Sequence, residues 1–256
     1  MSFFDNFKKK NLIAAHRGYS QKYPENTLIA LRSAVDKADL IEFDVQFSKD
    51  NIPIIFHDEN LSRTSDVEQF EEFLHRKPYN ICDFNYSELL KLDIGSWFDS
   101  KETFDTQRIL SLEEVLKCSL KNETYLNIEI KDVSNTKNSS LVVDEVLFYL
   151  KKYDCEKRVL ISSFNHEYLR EIKKLNSSIA TAALAYKFHP DNLIEYLKDL
   201  KVCAYHIDNE TVTKSLVEEL NKHNIWVNVY TANLKKRQSE LFNWGVKIVF
   251  TDRLKK

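Results

Sequence analysis

Glycine is scarce in this chain of 256 residues: only Gly18, Gly95 and Gly245 occur, far apart. P-loops and GxGxxG turns need clustered glycines so that backbone can close on a phosphate, so both nucleotide cradles are excluded. Cysteine is nearly as sparse. Cys82, Cys118, Cys155 and Cys203 form no CxxC pair and read as free thiols in a reducing compartment. No uninterrupted apolar run approaches the ~20 residues of a membrane span. The opening MSFFDNFKKKN puts lysines after its apolar residues, the wrong order for a secretory signal, so a cytoplasmic protein without stable membrane insertion is expected. A net charge of −2 gives no electrostatic footprint for nucleic acid or an anionic surface.

What is present is alternation. Apolar residues make up 43% of the chain, enough for a large core. The length suits one α/β barrel, which takes ~250 residues as a single domain. Strands read at 11–16, 40–47, 52–57, 125–131, 158–164, 179–186, 202–208, 226–232 and 247–251. Helices read from a cap at Asn26 or Thr27, then at 86–92, 112–120, 141–153, 166–175, 190–200, 211–223 and 234–244. Ser111 and Glu114 form a capping box, Pro190 suits a first helical turn and Thr211 an N-cap. Only residues 58–109 break the rhythm; they are polar and irregular, with an aromatic patch at Gly95-Ser96-Trp97-Phe98. The expected architecture is a (β/α)8 TIM barrel spanning 1–256, with 58–109 as an inserted region after a strand hairpin.

Charged residues collect where α/β barrels place their chemistry, at strand carboxyl ends. His16 and Arg17 close the first strand. Glu42 and Asp44 stand two apart on LIEFDVQF and so share a face. A hairpin centred near Lys49-Asp50 sets Glu42 opposite His57 and Asp44 opposite Ile55; the alternative makes both strands parallel members with an irregular link. Asn127, Glu129 and Lys131 share a face on YLNIEIK. Three carboxylates without a thiolate suit one hard divalent cation, Ca²⁺ or Mg²⁺. Two histidines can divide general-base and general-acid work, and Arg17 with Lys131 makes an oxyanion clamp, a set that fits a phosphate ester. Each residue alone has a bland reading: Glu42 and Glu129 as ion-pair partners of Arg17 and Lys131, His57 as a strand-end cap, Trp97 and Phe98 as a seal for the insertion rather than a pocket cap. His75, His166, His189, His206 and His223 have no ligand spacing and read as structural or surface residues; Ser163-Phe164 and His206 lie near enough to strand ends to line a pocket.

In this order, HRGYSQKYPENT, IEFDV, KDNIPIIFHD, LDIGSWF, NIEIK and FTDR closely resemble the glycerophosphodiester phosphodiesterase family over residues 12–253. The resemblance implies a TIM barrel and metal-dependent hydrolysis of glycerophosphodiesters to glycerol 3-phosphate and an alcohol. It implies His16 and His57 as the acid/base pair, Glu42, Asp44 and Glu129 as cation ligands, and Arg17 and Lys131 at the phosphate. The family's Trp-Thr-Val-Asn is replaced by Tyr230-Thr231-Ala232-Asn233, a smaller aromatic wall for the substrate, and its Pro before the helix that follows the insertion by Leu110-Ser111. A lysophospholipase D-like enzyme of the same barrel is the alternative. A binder that has lost catalysis fits less well, since it needs no acid/base pair.

Overall fold

A computed structural model of the chain describes residues 3–98, 104–121, 123–187 and 189–254. In chain order these form β1 (Leu12–Ala15), α1 (Leu28–Ala34), β2 (Leu40–Phe47), β3 (Pro53–Ile55), α2 (Tyr86–Leu89), β4 (Leu110–Ser111), α3 (Leu112–Lys121), β5 (Leu126–Ile130), α4 (Val142–Lys152), β6 (Val159–Ser163), α5 (His166–Leu175), β7 (Ala180–Ala185), α6 (Leu193–Asp199), β8 (Ala204–Asp208), α7 (Lys214–Lys222), β9 (Trp226–Tyr230), α8 (Lys235–Trp244) and β10 (Ile248–Thr251). Among the described residues eight parallel strands close in the order β1-β2-β5-β6-β7-β8-β9-β10, and β10 returns to β1 through Ala15 opposite Thr251. This is the expected (β/α)8 barrel.

The periodicity of each strand dictates two cores. Outward residues such as Phe43, Ile128, Ile161 and Val229 pack under the helices. Inward residues Leu12, Ala14, Leu40, Leu160, Ala182, Ala204 and Ile248 fill the amino-terminal half of the barrel, and Phe3 and Phe4 plug its floor. Apolar side chains thus occupy the bottom, and the inward positions nearer the carboxyl ends are left to His16, Glu42, Asp44 and Glu129. Residues of the irregular stretch, including Leu61, Phe73, Phe84 and Ile94, pack with Ile54 and Phe56 into a third apolar cluster.

Local details differ from the sequence reading in four places. The hairpin pairs Val45 with Ile55 and Gln46 with Ile54, one residue out of the expected register. The connection is a three-residue loop, Lys49-Asp50-Asn51, closed by Ser48 N–H to Ile52 C=O at 3.1 Å with Asn51 left-handed at φ 65°, one residue longer than the tightest hairpin loops. His57 therefore lies beyond the ladder rather than opposite Glu42. A short β4, which no period in the sequence announces, pairs antiparallel with β3. Helix α6 begins after Asn192, so Pro190 precedes it. Helix α7 is capped by Thr213, whose side chain accepts from Leu216 N–H, while Thr211 bonds to the carbonyls of Tyr186 and Asp208. The Ser111–Glu114 capping box of α3 is present in both directions.

Candidate active site

The loop after β1 is bent by conformation. Arg17 sits at φ 55° and Gly18 at φ 82°, and a Cβ on Gly18 would meet the Ala30 backbone at 2.6 Å. Only glycine lets α1 approach so closely. The bend turns the Arg17 backbone N–H onto Glu42 Oε2 at 2.7 Å and its side chain toward Asp44, with Nε at 3.5 Å from Oδ2. Barrel register puts Asp44 directly beside Glu129. Glu42, Asp44 and Glu129 consequently offer oxygens that all lie within 4.8 Å of one another.

Such a cluster is expensive without a counter-charge. Burial, and then the charge of Asp44, push the Glu42 carboxyl up to about 8. Burial opposes ionisation of Asp44 too, but Lys131, Arg17 and His57, with a hydrogen bond from Asn26 Nδ2 at 2.8 Å, hold it well below the usual carboxylate range. Lys131 Nζ lies 2.7 Å from Glu129 Oε1 and 3.6 Å from Asp44 Oδ1, so the ion-pair reading of Glu129 holds as far as one oxygen. Arg17 Nε is buried with no hydrogen-bond partner. An oxygen-only donor set that cannot ionise fully, beside a donor short of an acceptor, fits a hard cation and an anionic ligand.

Two imidazoles lie near the cluster: His16 lines a cavity with Glu42 and Glu129, and the charge of His57 reaches Asp44. Each Nδ1 is committed to a carboxylate. His16 meets Asp252 Oδ1 at 2.8 Å, and Asn233 and Ser20 hold that aspartate. His57 meets Asp58 Oδ1 at 2.6 Å. Burial works against protonation of His16, but the Asp252 bond and the charge of Glu42 raise its pKa above 6.5. The residues around His57 are fixed by Gln46, a buried side chain at the end of β2, whose amide donates to the carbonyls of Phe56, His57 and Asp58. Tyr230 donates to Ala185 C=O at 2.7 Å and lines a small cavity with His16, Glu42, Glu129 and His206. A larger polar cleft opens on the other side of His16, between Arg17, Gln21, Asn233 and Arg253.

The six charged residues His16, Arg17, Glu42, Asp44, Glu129 and Lys131 are therefore gathered at one end of the barrel, with His57 and Tyr230 at the margin. The family model for the glycerophosphoryl diester phosphodiesterase family matches residues 16–256. The chain belongs to that family. A glycerophosphodiester phosphodiesterase of Caldanaerobacter subterraneus subsp. tengcongensis is 33% identical over 95% of this chain and 94% of its own. One of Bacillus altitudinis is also 33% identical, covering 94% of each chain. The structure of an Oleispira antarctica phosphodiesterase in complex with the product sn-glycerol-3-phosphate superposes with a TM-score of 0.85 at 28% identity, covering 98% of this chain and 96% of that one.

Within this family member, sequence reasoning passed over Asp252, Asp58, Glu25 and Arg63. Asp252 had a signal, an acid one residue past a strand end in FTDR. Arg63 had none, because nothing in a polar irregular stretch marks one arginine. Of the remaining histidines, His206 lines the inner cavity, His166 is bonded to Tyr196 and Leu184, His189 to Tyr205 and His223 to Glu219. Phe104 packs on Tyr23, and Phe98 on Phe104 and Trp97, which joins the aromatic patch to the loop after β1.

Proposed function

We propose that this protein hydrolyses glycerophosphodiesters to sn-glycerol 3-phosphate and an alcohol, with a divalent cation, Ca²⁺ or Mg²⁺, held by Glu42, Asp44 and Glu129. The observation that carries the reading is one juxtaposition: three carboxylates within 4.8 Å, near two imidazoles whose Nδ1 atoms are already engaged. When bound, the cation supplies Lewis-acid charge at the phosphoryl oxygens. Arg17 and Lys131 add fixed positive charge where negative charge develops, in a site too buried for water to screen it. Because Asp252 and Asp58 accept hydrogen bonds from Nδ1–H, His16 and His57 present Nε2 to the substrate. One imidazole takes the proton of the nucleophile, a water or the substrate's own glycerol hydroxyl. The other delivers a proton to the departing alkoxide. Tyr230 borders the phosphodiester on the inner side.

The test is an assay of glycerophosphocholine, glycerophosphoglycerol and lysophosphatidylcholine, each with Ca²⁺, with Mg²⁺ and with chelator. Cation-dependent release of sn-glycerol 3-phosphate from a glycerophosphodiester is expected. Turnover of lysophosphatidylcholine alone would favour the lysophospholipase D reading, and turnover unaffected by chelator would remove the cation from the account.

A further inference from the structure

Arg63 stands in the stretch 58–109, and both edges of its planar guanidinium are taken. Nε and Nη2 donate to the two oxygens of Asp58, the second bond at 3.0 Å. Nη1 and Nη2 donate to Glu25 at 3.2 and 2.6 Å. Each of these carboxylates has a second partner. Asp58 Oδ1 lies 2.6 Å from His57 Nδ1, and Glu25 Oε1 accepts from Arg17 Nη1 at 2.8 Å. The Arg63 Cζ lies over the Trp97 ring, 5.7 Å from its centre, and the indole N–H is anchored to Ile94 C=O at 2.9 Å. A continuous chain, His57–Asp58–Arg63–Glu25–Arg17, therefore links His57 to Arg17 through Arg63 of the insertion.

Charge alternates from Asp58 through Arg63 and Glu25 to Arg17. Burial opposes ionisation of both Asp58 and Glu25, yet hydrogen bonds from His57 and Arg63 to the first, and from Arg63 and Arg17 to the second, hold both carboxyls below the usual range. Without Arg63 two like charges would face one vacated position and turn toward water, loosening the imidazole and the guanidinium they hold. A lysine offers one point charge and cannot bond along two edges at once. The Arg63 side chain is 46% exposed, so its ion pairs add little to global stability.

We propose that Arg63 is a positioning residue supplied by the insertion, orienting His57 through Asp58 and Arg17 through Glu25; this rests on the roles given to His57 and Arg17 above. Arg63→Ala is expected to lower kcat/KM by roughly ten- to hundredfold, with kcat falling through His57 and KM rising through Arg17, while the thermal midpoint stays near that of the parent. Arg63→Lys should not restore the rate. Millimolar guanidinium should rescue Arg63→Ala with saturation, and urea at the same concentration should not. Inorganic phosphate, measured by calorimetry in the presence of Mg²⁺, should bind Arg63→Ala more weakly than the parent. The proposal is overturned if either variant keeps kcat/KM within about twofold of the parent, or if guanidinium and urea act alike on Arg63→Ala. If the parent hydrolyses no phosphodiester, the functional reading falls, and unchanged phosphate affinity in Arg63→Ala then overturns the positioning role independently.

Discussion

A histidine is useful in acid–base catalysis only when something chooses which nitrogen faces the substrate. In His16 the Nδ1 side is engaged by Asp252, 236 residues away in sequence, which leaves Nε2 for the proposed acid–base role. Positioned general acids and bases contribute about 10²–10⁴-fold, so His16→Ala and His57→Ala are each expected to lose at least about a hundredfold in kcat with the far-ultraviolet circular dichroism unchanged. If both kept near-parental turnover, the assignment would be wrong. Asp252→Asn keeps the shape of the site but removes the charge that helps raise the His16 pKa. The kinetic pKa belonging to His16 should move to lower pH, read from kcat/KM across pH 5–9 at saturating cation.

The hairpin of β2 and β3 is the element that delivers His57, and its geometry hangs on Asn51. That residue is left-handed at φ 65°, a conformation that costs a β-branched side chain about 1–2 kcal/mol. Asn51→Val should destabilise the protein by that order in urea unfolding and also lower kcat, because strain at this turn displaces the strand that leads to His57. Asn51→Gly should leave both nearly unchanged. The hydrophobic period of these strands was legible in the sequence, and so was the hairpin. The register was not: a loop of two and a loop of three residues share one hydrophobic pattern, and only the backbone of Asn51 separates them. The helix starts expected at 190 and 211 fall early: Asn192 precedes α6, and of the two good caps Thr211 and Thr213 the second caps α7.

At the scale of the whole molecule the barrel crowds carboxyl groups together in its own mouth. In cation-free protein burial and the charge of Asp44 push the Glu42 carboxyl up to about 8, far above the usual carboxylate range. Across that window the folded state holds a proton that the unfolded chain has lost, so stability falls as pH rises. The raised pKa of His16 acts in the same direction above pH 6.5. With chelator present, the thermal midpoint should therefore decline between pH 5 and 8, and Glu42→Gln should flatten the decline. Cation binding at pH 7 should expel a proton from Glu42, seen by calorimetry in buffers of different ionisation enthalpy, and its affinity should increase up to pH 8. A cation at a hundred times its Kd should add about 2.7 kcal/mol of stability.

The sequence by itself determined the class of fold and which residue types stand at strand ends. Strand and helix periods repeat along the chain, and the pairs Glu42/Asp44 and Glu129/Lys131 must share a face whatever the partner strands are. Barrel closure decided the rest: it set Asp44 beside Glu129, brought Asp252 to His16 and let Arg63 reach both Asp58 and Glu25. Contacts between remote residues depend on register and on how irregular segments pack, and those follow from the summed burial of the folded chain rather than from any local pattern.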